Sequence, residues 1–362
     1  MYSHTSVPIM TLRFMQRQAG LVHLGLARLK LLETFALSTI RQQTNQQFIW
    51  IIRADPDLDN RVKQPLISSL QNQSNIFLLG SNDNHRCAIR SSLILTEEVW
   101  SGDEALLQRY HDAAKERRFV VETRLDADDG LPLNFINTTQ NLIDQGRFDQ
   151  QESLAFYRFW CVRRHIEWHA TNPFRGLPRL QINPYGYLIK RDQGDSLCIT
   201  PGLTMVYGKE MPAKNIPKGH TDADNVPVCS DNVTDVNCWS FLYDRDDDMP
   251  GAIRARTPTS TGMTGVSIAH EQGNGTTTGR STSLSSSPLH DTDLNKRKKW
   301  QSVLDGFGIH PDRTLATKEY FILHLAKIAA DNLQGQCNIG HTCKPSAKKA
   351  LTKLKSTGGQ SP

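Results

Sequence analysis

No stretch of this sequence stays apolar long enough to span a bilayer, which takes about 20 consecutive residues. The first residues also lack the basic-then-apolar order of a secretory leader, so the chain as it stands reads as cytoplasmic. A secretory location would follow only if a segment upstream is missing, and sequons at Asn72, Asn137, Asn232 and Asn274 would matter only then. Any excess of one sign of charge is small too. The net formal charge is +5, and much of it sits in Lys344, Lys348, Lys349, Lys353 and Lys355. Those lysines read as a solvated tail, and no nucleic-acid partner is expected. Seven cysteines, an odd number at scattered spacings, argue against a disulfide framework. Cys337, His341 and Cys343 lie close together, but no fourth ligand accompanies them, so a zinc site is not expected. Several motifs are absent: Gly-x-Gly-x-x-Gly, Gly-x-Ser-x-Gly and His-Glu-x-x-His. The segment from Gly202 to Lys209 has the wrong spacing for a phosphate loop, and Glu210 stands where a hydroxyl is required.

What is present is an alternation of strand-like and helix-like patterns, the mark of a βα-unit domain with a largely parallel sheet. Strands are expected at Val7 to Phe14, Phe48 to Ile52, Ile76 to Leu79 and Phe119 to Leu125. Helices are expected at Leu21 to Ile40, Asn60 to Leu70 and Asp103 to Arg117, the last capped near Ser101. A further helix should open at Leu131-Pro132, where proline suits the first turn, and run to Asp144. The second half is less regular, with strands read at Ser153 to Arg163, Gly186 to Lys190, Cys198 to Tyr207 and Trp239 to Tyr243. Pro258 to Pro288 is rich in Ser, Thr and Gly and reads as flexible. Two helices follow, Leu294 to Asp305 and Leu315 to Leu333. The resulting division is 1–150 for a nucleotide-binding α/β half, 151–256 for a mixed acceptor half, 257–290 for the insertion, 291–335 for helices and 336–362 for the basic tail.

Ligands of open parallel α/β sheets bind beyond the carboxyl ends of the strands. Two such ends are acidic in this chain: Asp55, Asp57 and Asp59 after the second strand, and Asp126, Asp128 and Asp129 after the fourth. Taken alone, Asp-x-Asp-Asp is a common turn sequence. A functional reading gains from three points. The carboxylates directly follow an apolar strand that fixes their backbone. Asp126 and Asp128 lie two apart, which in an extended chain turns both to one side. Three close carboxylates also repel unless a cation or hydrogen bonds offset their charge, and oxygen ligands of this kind suit Mg²⁺ or Mn²⁺. Arg13, Arg53 and Arg124 are candidate partners for a diphosphate, since guanidinium forks match phosphate oxygens, although ordinary ion pairs account for them equally well. His220 is a candidate metal ligand, and Asp222 or Asp224 a candidate general base, in a stretch that also fits a plain surface loop.

The segment Phe119 to Leu131, with Thr123-Arg124-Leu125-Asp126-Ala127-Asp128-Asp129 at its centre, resembles the core motif of a rhamnosyltransferase family. Arg13-Phe14, Leu32-Glu33-Thr34-Phe35 with Ser38 and Gln42, Phe48-Ile49-Trp50, and Thr200-Pro201-Gly202-Leu203 are similar to other family segments in the same order. Arg256-Thr257-Pro258-Thr259-Ser260 is similar to a late arginine-bearing one, so the resemblance runs over residues 9–260. It implies a GT-A-like fold, a Rossmann-type nucleotide half fused to a mixed acceptor half. It also implies a metal-dependent glycosyltransferase with a nucleotide-sugar donor and a carbohydrate or other glycan acceptor. By the same resemblance Asp126 meets ribose or metal, Asp128 ligates metal, Asp129 ligates or orients, and Asp55 and Asp57 lie near base and ribose. A nucleotidyltransferase or nucleotide-sugar hydrolase on the same fold, and a non-catalytic glycan-binding relative, are the competing readings. A two-carboxylate glycoside hydrolase fits least, because its acid and nucleophile stand well apart.

Overall fold

Phe48 begins an apolar run that becomes a strand buried at every position, as a parallel strand covered on both faces must be. The computed structural model describes residues 8–81, 98–162, 164–170, 184–192, 201–212, 226–230, 234–242, 251–256 and 297–338. In chain order the first five strands are β1 (Ile9–Phe14), β2 (Ile49–Ala54), β3 (Ile76–Gly80), β4 (Glu98–Ser101) and β5 (Phe119–Arg124). The rest are β6 (Asp129–Gly130), β7 (Tyr157–Val162), β8 (Arg164–His169), β9 (Tyr187–Asp192), β10 (Leu203–Gly208), β11 (Cys238–Leu242) and β12 (Ala252–Arg256). They form an eight-stranded sheet of order β11-β7-β10-β5-β1-β2-β3-β4 and a four-stranded sheet of order β6-β12-β8-β9. Within the large sheet β3, β2, β1 and β5 run parallel, while β10 lies antiparallel to β5 and β7, and β4 antiparallel to β3.

Helix α1 (Val22–Leu31) continues through a π-helical turn (Leu32–Ala36) into α2 (Leu37–Arg41). After it come α3 (Asn60–Leu70), α4 (Glu104–Glu116), α5 (Phe135–Gly146), α6 (Arg297–Gly306) and α7 (Pro311–Asn338). Side chains of α1, α3 and α5 bury one face of the large sheet around Trp50, Leu12 and Val121. Leu107 of α4 packs with Phe77, Ile51 and Met205 on the other face. The far side of α1 meets the small sheet: Ala27, Leu31 and Phe35 pack with Ile166, Trp168, Ile253 and Ala255, and α6 and α7 close this third core. Period-two alternation then sends the opposite side chains of β8 and β12, including Glu167 and Arg254, to the other face of the small sheet. The expected α/β class is therefore present, with a parallel core and a mixed extension consistent with a GT-A-like fold.

Four strands exceed the expectation: β4, β6, β8 and β12. The cap of α4 is Asp103 rather than Ser101, its carboxylate accepting from the Leu106 N–H at 3.1 Å. Helix α5 starts at Phe135, three residues beyond Pro132. The cysteine reading needs correction as well. Cys229 and Cys238 are joined in a disulfide beside β11, and Cys161 on β7 is disulfide-bonded too. A count over the whole chain does not reveal which few cysteines the fold brings together. The segment from Pro258 to Pro288 and the lysine tail lie outside the described residues.

Candidate active site

In an open α/β sheet the binding crevice lies where the strand order reverses. Here that point falls between β1, which leads outward to β2 and β3, and β5 on its other side. Both strands end on the same edge, and the Leu125 N–H donates to the Thr11 carbonyl at 3.1 Å, carrying the pairing to the tip of β5.

The acidic motif leaves this tip as a turn, not as extended chain. The Asp129 N–H donates to the Asp126 carbonyl at 3.1 Å, and the Asp126 N–H donates back to Asp129 Oδ2 at 3.3 Å. The expected convergence of the carboxylates occurs, but the turn produces it rather than strand alternation. Oxygen atoms of Asp126, Asp128 and Asp129 all lie within 4.8 Å of one another. Beyond the turn, β6 pairs with β12, and the Ala255 N–H donates to the Asp128 carbonyl at 2.6 Å. Gly130 is needed for this approach: a Cβ there would stand 2.8 Å from Ile253 and 2.9 Å from Thr39. Gly202, just before β10, sits at φ +71 with Phe135 2.8 Å from where its Cβ would be, so the Pro201-Gly202 pair of the motif has a backbone reason.

Burial and crowding set the electrostatics of the triad. Burial, then the neighbouring Asp128, push the Asp126 carboxyl above the ordinary carboxylate range, against Arg254, Arg13 and Arg28. Asp129 is fully buried and is pushed well above that range by burial, Asp128 and Asp126, opposed by Arg254 and by its hydrogen bond from Asp126. Arg254 Nε lies 3.8 Å from Asp129 Oδ1, at ion-pair distance. Neither atom has a hydrogen-bond partner. Arg28 of α1 donates to Gln18 Oε1 at 2.6 Å; burial lowers its pKa while Asp128 and Asp126 support its charge.

A second loop flanks the same edge. Between β1 and α1, Met15 and Arg17 adopt positive φ of 54° and 60°, an uncommon and costly conformation for residues with a Cβ. Asp55 pins this loop: its Oδ2 accepts from the Arg17 N–H at 2.7 Å and its Oδ1 from the Asp57 N–H at 3.0 Å. Gln16 Nε2 adds bonds to the carbonyls of Arg53 and Ser81 at 3.1 and 2.9 Å.

Among the other sequence candidates, Arg13 is the penultimate residue of β1, in register with the buried Arg53, and its charge reaches Asp126. Arg124 Nε stands 3.7 Å from Glu122 Oε1, an ion pair on the sheet. Asp57 is exposed on the loop after β2. Asp59 caps α3 through Arg61, which draws its pKa down to about 2, and so belongs to the helix rather than the site. His220, Asp222 and Asp224 lie outside the described residues. Sequence reading passed over Arg28 and Arg254. Arg28 had a signal: with Leu24, Ala27 and Leu31 it shares the core-facing stripe of α1, an odd place for an unpaired charge.

Residues 26–157 match the family model described as "Putative rhamnosyl transferase". The match includes Arg28, the Asp55 loop and the whole acidic turn, and supports glycosyl transfer as the class of activity. It stops short of Gly202 and Arg256, so the wider resemblance over 9–260 stands there on the residues alone. No curated protein matches. A solved structure named "WbbM bifunctional glycosytransferase apo structure" is similar at 12% identity over 45% of this chain and 24% of that chain, with a TM-score of 0.21. This chain therefore spans about a quarter of that one's length.

Proposed function

We propose that this chain is a metal-dependent glycosyltransferase that moves a sugar from a nucleotide-sugar donor to a glycan acceptor. One observation carries the reading. Three carboxylates converge on a sheet-held turn at the strand-order reversal, and Asp129 presents a fully buried oxygen with no hydrogen-bond partner. Oxygen donors this close suit a hard divalent cation, and residual cations around them suit phosphate. Asp126 and Asp128, half-buried and open to the crevice, would hold Mn²⁺ or Mg²⁺ with Asp129 behind them. Bound there, the cation supplies Lewis-acid stabilisation of the departing diphosphate. Arg13 and Arg28 add positive potential on the same side, and the Asp55-pinned loop after β1 offers its backbone to the nucleotide. Asp222 or Asp224 remain the candidates for taking the proton of the acceptor hydroxyl, and His220 remains a candidate metal ligand.

The test is a melting-temperature panel of UDP, GDP and dTDP with and without Mn²⁺. A ligand at 100 times its Kd stabilises the folded state by about 2.7 kcal/mol, so one nucleotide should raise the Tm clearly, and only with the metal. Flat curves across the panel would count against the assignment. Product analysis with the matching nucleotide sugar then separates transfer, which leaves nucleoside diphosphate and a glycosylated acceptor, from hydrolysis or nucleotidyl transfer.

Replacing Asp55 by Ala removes two backbone partners from a nearly buried carboxylate. Stability should fall by about 1–3 kcal/mol, and nucleotide affinity should weaken with or without metal, because the loop after β1 is released. Calorimetric unfolding and titration on one preparation check both; a destabilised variant of full affinity would confine Asp55 to a structural role.

Disulfides persist in oxidising compartments, so the Cys229–Cys238 bridge supports folding in such a setting over the cytoplasmic reading of the sequence. Alkylation of denatured, unreduced protein should leave both cysteines unmodified. Quantitative labelling of either would remove the argument. Among the described residues no helix is long and apolar enough to cross a membrane.

A further inference from the structure

The small sheet carries a row of charge across three strands. Asp129 on β6 lies opposite Arg254 on β12, and Arg254 lies opposite Glu167 on β8. Residues in register present their side chains on one face, so the row runs acid, base, acid. Glu167 is buried, with His169 Nε2 at 3.3 Å and His165 Nε2 at 3.9 Å from its oxygens. Arg254 is thus held between the carboxylate triad and a second buried carboxylate. Burial opposes its charge, while Asp129, Asp128, Asp126 and Glu167 together sustain it.

Its backbone is tied down by hydrogen bonds, while its Nε makes none. Ile253 and Ala255 on either side are buried in the core against α1, and the Ala255 N–H bonds to the Asp128 carbonyl. The Arg254 side chain, by contrast, is 27% exposed, and its Nε contacts Asp129 Oδ1 only at ion-pair distance, without a hydrogen bond. A side chain so placed neutralises the triad when nothing else does, yet has donors to spare for an anion arriving at the same spot.

We propose that Arg254 is an exchangeable counter-cation: it balances the triad through Asp129 until a divalent cation takes the carboxylates, and then turns its guanidinium to the diphosphate of the nucleotide. This rests on the metal-dependent reading above. It makes Arg254 a competitor of the metal and a partner of the nucleotide, so its removal should move the two affinities in opposite directions. A residue that merely supports the fold would lower both.

The experiment measures Mn²⁺ alone by the resonance signal of the free ion, then UDP, GDP and dTDP by calorimetry at saturating Mn²⁺. Arg254→Met should bind Mn²⁺ about tenfold tighter, since a positive charge at the site is gone. It should bind the nucleoside diphosphate about tenfold more weakly, for want of the fork. Arg254→Lys keeps a charge without the fork, so its Mn²⁺ affinity should stay within about twofold of the wild type while nucleotide binding recovers only in part. Should Arg254→Met fail to fold, the lysine variant decides alone, and full nucleotide affinity in it overturns the proposal. Parallel loss of both affinities in Arg254→Met, or an unchanged Mn²⁺ affinity, overturns it as well. Wild-type protein that binds neither Mn²⁺ nor any nucleotide overturns the reading beneath it, a result distinct from either variant's failure.

Discussion

Asp128→Asn is expected to abolish Mn²⁺-dependent nucleotide binding while the fold survives. Asp128 is half-buried at the mouth of the turn, and the bond that ties it to β12 runs through its carbonyl oxygen, which the substitution leaves alone. Asparagine has nearly the same shape, so neither the turn nor the packing of Ala127 should change. Lost is one anionic oxygen out of the three that converge. Even outer-shell residues around a metal cost about 10–100-fold in affinity when changed, and a direct ligand should cost at least roughly 100-fold. Nucleotide affinity should fall to the level the wild type shows without metal. The check is titration with and without Mn²⁺, alongside a melting curve showing that the variant is folded. A folded Asp128→Asn protein with wild-type metal dependence would take the cation site away from this turn.

The parallel half of the fold was legible because its signals are local. Phe48 to Ile52 is an apolar run short enough for a strand, and Asn60 to Leu70 carries its cap, Asp59, directly before it. The acidic turn was legible for the same reason, since Asp126, Asp128 and Asp129 are neighbours in the chain. What escaped depends on distance along it. Strand β12 is a short Ala-Ile-Arg-Ala-Arg segment whose meaning comes from pairing Arg254 with Asp129, far upstream in sequence. Nothing within a window of ten residues marks that partnership. Strand β8 is a different kind of omission. His165, Ile166, Glu167, Trp168 and His169 alternate polar and apolar without a break, the pattern of a half-buried strand, and the preceding apolar run to Val162 obscured it. The π-helical turn at Leu32–Ala36 left no sequence trace either. Within it Phe35 packs against Trp168, far along the chain, at a ring separation of 5.2 Å.

Asp129→Asn should have the opposite effect on stability from most core substitutions: without metal, it should raise the melting temperature. In the folded chain Asp129 is fully buried beside two other carboxylates, and its pKa stands well above the ordinary aspartate value. A carboxyl whose folded pKa is raised binds its proton more tightly folded than unfolded. Stability then falls as pH rises from the unfolded value, about 3.9, through the folded one. Asp126 shifts in the same direction, so the two act together. Between those two values folding must take up a proton, and above the folded one the metal-free protein carries buried negative charge that Arg254 offsets only in part. Asparagine removes that charge and keeps an oxygen to accept the Asp126 N–H. Set against the loss of the Arg254 ion pair, the gain should be about 1–2 kcal/mol, or roughly 2–6 °C in Tm for a chain of this size. The advantage should shrink as pH is lowered, because acid neutralises the wild-type carboxyl as the substitution does. It should reverse when Mn²⁺ is added at neutral pH, where the wild type gains a cation that the variant holds poorly. Melting curves from pH 4 to pH 8, with chelator and with Mn²⁺, give all three comparisons. A variant less stable than the wild type at every pH without metal would mean that the Asp129–Arg254 pair outweighs the crowding of the triad, and that the turn is held together by its charges rather than despite them.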